Sequence, residues 1–451
     1  MTDAALSYDN EATAEASFEA SPPSSYPPSV QPGIPTLGRK PEGWSRVSIG
    51  DLLEPVYRPA KLADDEQYQL VTAKRSRGGI VPRAILYGRD IRTKTQFYVE
   101  PDDFLISRRQ ISHGACGLVP PNLDGAVVSN EYVAFKPKSG LDLRFLQHLS
   151  HSVYFQQTCF HSSIGVHVEK LVFKIEDWLE WEIDVPPMAE QRRIADVLDA
   201  WDRAIAHTDA LIDAKRKRFN WLYSELFPAS GTSLPNSWEA APVTSVAAVR
   251  FSGVDKKTVE GERPVRLCNY TDVFNNRRIT ADMPFMSATA KPREIEAFTL
   301  QLGDVVFTKD SETAEEIGES AVVAEPLDNV VCGYHLGVAR ARPDTMIGDF
   351  LALALRHPWV REEFRKAANG VTRFGLNLDV MDQVQVLFPP LDQQEKLVAT
   401  LNAVEDEIEL LTKSLTPLRE QKKGLMQKLL SGDMRLSSTE SLRGKEDAHA
   451  D

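Results

Sequence analysis

The side chains of this 451-residue chain that could do chemistry do not assemble into a catalytic set. No G-x-x-x-x-G-K-S/T phosphate loop occurs, and no G-x-G-x-x-G follows a strand-like run. The two Pro-Pro pairs stand in Asp184-Val-Pro-Pro-Met188 and Leu387-Phe-Pro-Pro-Leu391. They lack the preceding Asn or Asp and the following aromatic with which amino-methyltransferases grip a base. Glu312-Thr-Ala-Glu-Glu316 has no Lys or His at nuclease spacing. His148 and His151 stand three apart without a Glu or Cys to complete a metal ligand set, so no metal is expected. What remains suits recognition. Lys74, Arg75 and Arg77 beside Gly78-Gly79, and Arg108, Arg109, Gln110 and His113, place long donors on predicted loops. Asn269, Tyr270, Asn275, Asn276, Arg277, Arg278, Lys309 and Arg373 repeat that inventory further on. Arg paired to guanine, and Asn or Gln to adenine, are common base-edge contacts, while most donors of this kind meet phosphate. Any one of them, taken singly, is equally a solvated loop residue.

The elements that must carry these donors come from the wider pattern. The formal charge of -13 is uneven. Residues 1–38 hold five acids and no Lys or Arg; Thr72–Arg109 holds nine basic and four acidic residues, Arg250–Arg293 nine and five. A phosphate senses charge only within about 8 Å, so an acidic chain with basic clusters can still bind nucleic acid. The four cysteines are scattered, with no C-x-x-C pair, which suits a reducing compartment. No run approaches the ~18–20 apolar residues of a membrane helix, and the N-terminus lacks a secretory h-region. A cytoplasmic location without a membrane partner is the expectation.

The chain repeats itself. Pro41-Glu-Gly-Trp44 opens one unit and Pro235-Asn-Ser-Trp238 the next. Each continues with short β-rich runs, among them Asp103–Ser107 and Asp304–Thr308, then strands predicted around Val127–Phe135 and Val330–Ala339. A short helix follows in each, around Leu143–Cys159 and Asp349–Ala368. Pro186-Pro-Met-Ala-Glu-Gln-Arg-Arg-Ile194 then matches Pro389-Pro-Leu-Asp-Gln-Gln-Glu-Lys-Leu397 at an offset of 203. From there a heptad seam runs through Ile194, Leu198, Trp201, Ile205, Thr208, Ile212, Lys215, Phe219, Leu222 and Leu226. Its second copy runs through Leu397, Leu401, Val404, Ile408, Leu411, Leu415, Leu418, Lys422, Leu425 and Leu429. Steps alternating four and three specify paired, supercoiled helices. Each would span about 60 Å.

In order and in duplicate, these pieces resemble the specificity subunit of Type I restriction–modification enzymes over nearly all of Glu42–Gly432. The pieces are the Pro-Pro-x-x-Glu/Gln-Gln helix starts, Gln421-Lys-Lys-Gly-Leu-Met-Gln-Lys-Leu-Leu430, Ile111–Tyr132, Gly303-Asp-Val-Val-Phe-Thr-Lys-Asp310 and Ala368–Leu376. The resemblance implies an α+β protein with two mixed target recognition domains, separated by two long helices pairing as an antiparallel coiled coil. The expected boundaries are a disordered acidic tail over 1–38, a first domain over 39–187 and a helix over 188–229. A second domain over 230–390, a helix over 391–431 and a flexible tail over 432–451 follow. It further implies that each domain reads half of a bipartite double-stranded DNA site, asymmetric because the candidate loops differ, and that the helices dock two methylase subunits. The chain itself would be non-catalytic and without cofactor. S-adenosylmethionine would sit on the methylase partners, with ATP and Mg on separate restriction (translocase) subunits. Two features depart from the family pattern: the acidic first 38 residues, and a first helix ending Phe219-Asn-Trp-Leu-Tyr-Ser-Glu-Leu-Phe227. A self-sufficient methyltransferase or nuclease, or a structural coiled-coil adaptor, are the competing readings.

Overall fold

The computed structural model describes residues 33–166, 171–228, 234–235 and 237–436. The chain divides into two compact units, one made of residues up to His207 together with those from Leu415, the other of Thr208–Ser414. Two helices of about forty residues, which we call α2 (Met188–Leu226) and α4 (Leu391–Leu430), each contribute to both.

In the first unit a four-stranded antiparallel sheet runs in the order Leu53–Val56, Tyr132–Pro137, Phe104–Ser107, Cys116–Leu118. Its inner face meets a cluster of aromatics. Trp178 lies 5.4–5.5 Å, ring to ring, from Phe135, Phe155 and Phe173, and its buried Nε1 donates to Thr158. A five-stranded sheet, with Gln67–Ala73 and Ile80–Tyr87 at one edge, carries the first donor loop. Ser45–Ser48 pairs with Glu182–Val185 and so brings the two ends of the domain together. Of the 1–38 tail, residues 1–32 lie outside the described residues; the carbonyls of Gly33 and Gly38 accept from His161 and Arg46. Of the C-terminal tail, 437–451 lie outside them, while Arg435 pairs with the buried Glu190.

The second unit repeats the plan. A five-stranded sheet in the order Ala247–Phe251, Leu336–Ala341, Asp304–Thr308, Ser320–Val323, Arg278–Ile279 stands beside a three-stranded one. Glu239–Pro242 pairs with Gln385–Phe388, as the first and last strands do in the first unit. The aromatic-rich end of α2 has a physical use here. Phe219, Tyr223 and Phe227 follow one another at four-residue steps, stack, and meet Trp238 and Phe350 in the core.

Two details differ from the sequence expectation. Each single run predicted as a strand is two strands in different sheets: Val127–Ser129 then Tyr132–Pro137, and Val330–Cys332 then Leu336–Ala341. A turn between them projects Glu131 in one unit and His335 in the other. Each single predicted helix is also two. Leu143–Leu149 (α1) gives way to Val153–His161, whose start is capped by Ser152, and Gly348–Arg356 (α3) to Pro358–Ala367, capped by His357. A capping side chain satisfies an orphan N–H and sets a new helix axis.

Within each unit the long helices run antiparallel. Ile194 and Leu198 share a core cluster with Met426 and Leu429 in the first, where Lys422 pairs with Asp202. Phe219 and Leu222 pack with Leu397, Leu401, Val404 and Ile408 in the second, where Lys215 pairs with Glu407. Every residue of both seams is buried or half-buried, whereas Leu410, one place off the seam, is 69% exposed. Among the described residues no helix is long and apolar enough to cross a membrane.

Candidate nucleic-acid interface

In the first domain the hairpin loop Lys74–Gly79 lies against the segment after strand Phe104–Ser107. Ser76 and Arg77 adopt positive φ, 55° and 63°, and donate to the carbonyls of His113 and Gly114 at 2.7 and 3.1 Å. The backbones nearly touch. A Cβ on Gly117 would lie a tight 3.3 Å from Gly79 Cα, and Gly79 itself adopts a left-handed φ of 76° that favours glycine. Arg75 Nε donates to Gln110 Oε1 at 2.8 Å, and Arg109 pairs with Glu131. The structure thus gathers Lys74, Arg75, Arg77, Arg108, Arg109, Gln110 and His113 into one patch. They are not equally available. Arg77 is half-buried beside Cys116, and desolvation holds its pKa below the ordinary range, so it serves the loop's packing.

In the second domain Asn269 and Tyr270 open the short helix Tyr270–Phe274. The Tyr270 hydroxyl meets Ser311 Oγ at 2.9 Å, and Asn269 and Tyr270 line a cleft of about 510 Å³ with Lys256, Lys257, Tyr334 and His335. Lys309 lies over the Phe251 ring at 5.7 Å. Arg373 donates to Asp310 at 3.2 Å and to His335, which itself pairs with Asp310. Asn269, Tyr270, Lys309 and Arg373 therefore share one face. Asn275 and Asn276 are exposed beyond the helix end. Arg277 and Arg278 are differently placed. Both guanidiniums are engaged by acids of α4, Glu405 and Asp406, and Arg277 also covers the Phe219 ring. These two arginines fix the domain to its helix.

The frame around the two tips is the same. Arg108 N–H donates to the Glu131 carbonyl and Phe173 N–H to the Arg108 carbonyl; Lys309 N–H donates to the His335 carbonyl and Leu376 N–H to the Lys309 carbonyl. Glu131 and Asp310 were missed in the sequence because a search for basic and amide donors passes over acids, and His335 because it lay inside a run read as one strand. The turn inside each supposed single strand was the signal for Glu131 and His335.

A second duplicated device sits at the helix starts. Gln191 is 1% exposed; it accepts from Asp142 N–H and donates to the carbonyls of Gly140 and Pro186, all within 2.8–2.9 Å. Gln394, fully buried, does the same with Ile347, Thr345 and Pro389 at 2.8–3.0 Å. This is why a Gln stands four residues after the second Pro in both copies.

The histidine pair is structural. His148, 3% exposed, shares a hydrogen with Asp199 at 2.8 Å, and His151 meets Gln147 at 3.2 Å. Burial, aided by Lys422, Arg77 and His148 and opposed by Asp202, pushes the His151 pKa down from 6.5 to about 4. Folding thus favours neutral imidazole. The stability is full above pH 6.5 and is lost as pH falls from there towards 4, by about 3 kcal/mol. His151→Gln is expected to flatten the profile by that amount in urea unfolding between pH 7 and 4; an unchanged slope would remove this group from the acid lability.

Two similar mixed α/β domains, each followed by a long helix and each bearing a patch of donors on strand-end loops, describe a two-headed recognition protein. The sequence model of the Type I restriction modification DNA specificity domain matches the chain twice, over residues 41–214 and 267–419. The chain belongs to this family and carries two target recognition domains. It is 20% identical over 417 residues to the Type I restriction enzyme MjaVIII specificity subunit of Methanocaldococcus jannaschii, covering 89% of this chain and 95% of that protein. Two solved structures share the fold. One is the Type-I restriction-modification system S subunit from M. genitalium, with a TM-score of 0.56 at 14% identity, covering 88% of this chain and 98% of that one. The other comes from work on complex assembly and conformational transition of the type I R-M system, with a TM-score of 0.55 at 19% identity, covering 88% and 100%.

Proposed function

We propose that the two domains read the two halves of a bipartite, asymmetric double-stranded DNA site, and that the paired helices set the gap and dock two methylase subunits. The chain supplies sequence choice and no catalysis. S-adenosylmethionine belongs to the methylase partners, and ATP and Mg to restriction subunits that join them. One observation carries this reading: the devices that seat each domain on its helix are duplicated, while the side chains at the two tips differ in kind. A shared frame with unlike tips suits one geometry and two specificities. It disfavours the coiled-coil adaptor, which has no use for two unlike donor patches.

The test is to sequence methylated adenines in DNA from cells expressing this chain with its methylase. The expected result is one motif with two dissimilar half-sites at a fixed gap of about one helical turn. A palindromic motif, or methyl transfer by the purified chain alone, would overturn it.

A further inference from the structure

The matched frames bring unlike side chains to the same two places. After strand Phe104–Ser107, Arg109 reaches across to Glu131 in the following turn; both are substantially exposed, 55% and 43%. After strand Asp304–Thr308 the corresponding residue is Asp310, and the corresponding turn residue is His335. The polarity is reversed. A third side chain, Arg373, closes on Asp310 and His335 from the loop before Phe374–Gly375. The exposed Arg109–Glu131 pair adds little stability. Asp310 and His335 are only 22% and 19% exposed, but Arg373, which closes on them, is 54% exposed, so stability alone does not account for an arginine held at each of the matched loop tips. A bare carboxylate facing a phosphate backbone would also be repelled, and the Arg373 guanidinium offsets that charge.

We propose that Arg109 with Glu131, and Asp310 with His335 and Arg373, are specificity determinants, each set reading one base pair of its own half-site with opposite hydrogen-bonding sense. Arg109, held in plane by Glu131, presents a donor fork that fits guanine O6 and N7. Asp310, held by His335 and Arg373, presents an acceptor that fits an exocyclic amine, that of cytosine above all. This rests on the reading that the two tips meet DNA.

The experiment uses the full chain assembled with its methylase, and measures methylation rates over a library randomised in both half-sites. Asp310→Asn is expected to relax discrimination about 10- to 100-fold at one base pair of one half-site and leave the other half-site untouched. Arg109→Gln is expected to do the same in the opposite half-site. Should Asp310→Asn fail to fold, Arg373→Gln, at an exposed residue, carries the same expectation. Unchanged discrimination overturns the proposal. So does a uniform loss over all sequences with a shallower salt dependence, the mark of a phosphate contact. If the unaltered assembly itself prefers no bipartite sequence, the failure lies with the two-reader function and takes this proposal with it.

Discussion

Arg58→Ala is expected to destabilise the first domain by about 3–5 kcal/mol. The carboxylate of Asp103 is fully buried; it accepts from both Nη atoms of Arg58 at 2.7 and 3.0 Å and from Glu100 N–H at 2.9 Å. Without Arg58, a charge in an apolar site keeps a single backbone donor. Water has little room to replace the lost one, since Arg58 itself is only 21% exposed. The second domain contains a natural comparison. Asp304, 1% exposed, accepts from Arg340 twice at 2.7 Å and from Gln301 N–H at 2.8 Å. Arg340, however, is 41% exposed. Its removal opens a path for water to the carboxylate, and the expected loss is smaller, about 1–3 kcal/mol. Urea unfolding of both variants checks the ordering. Equal losses would show that desolvation does not set these costs. The functional consequence is local, because Asp103 and Asp304 stand at the starts of strands whose far ends lead into Arg108 and Lys309. A loosened strand start is a loosened reading tip.

Much of the architecture was readable because its signals are local. A seam stepping by four and three needs only its own forty residues to announce a paired helix, and the Pro-Pro starts need only nine. The duplication was readable for the same reason, through the 203-residue offset. The tips were less so. Arg277 looked like a free donor, and its partner Glu405 lies 128 residues away in sequence. Sheet order was hidden too. Val127–Phe135 alternates like one strand, yet its halves pair with different sheets, a choice made by distant partners such as Gln96–Tyr98 and Phe104–Ser107. Asp310 and His335 sit where that long-range pairing ends, so periodicity could not single them out. Several residues flagged by type alone do stand side by side on the tips, while Arg277 and Arg278 are taken up by acids of α4.

The glutamines at the helix starts are the other place where a single atom should matter. Gln191→Ala is expected to cost about 1–3 kcal/mol, because it leaves the Pro186 carbonyl buried and unpaired and strips the half-buried Asp142 N–H and the Gly140 carbonyl of their partner. Gln394→Ala is expected to cost as much in the second unit, through Ile347, Thr345 and Pro389. The sharper variant is Gln→Glu at either site. It keeps shape and the acceptor, but sets a carboxylate oxygen against two carbonyls that require N–H donors. At neutral pH it should destabilise at least as much as alanine, and part of the loss should return near pH 4, where a protonated acid donates to one carbonyl again. A Gln→Glu variant as stable as the parent at pH 7 would show that the amide's two donors are not needed. Each lock joins the loop before α1 or α3 to the first turn of α2 or α4, so its loss acts on the angle at which a domain leaves its helix. Methylation should then fall for the whole bipartite site, while the base preference within each half-site stays as it was. That separates these residues from the tips, where substitution should change the preference and leave the geometry alone.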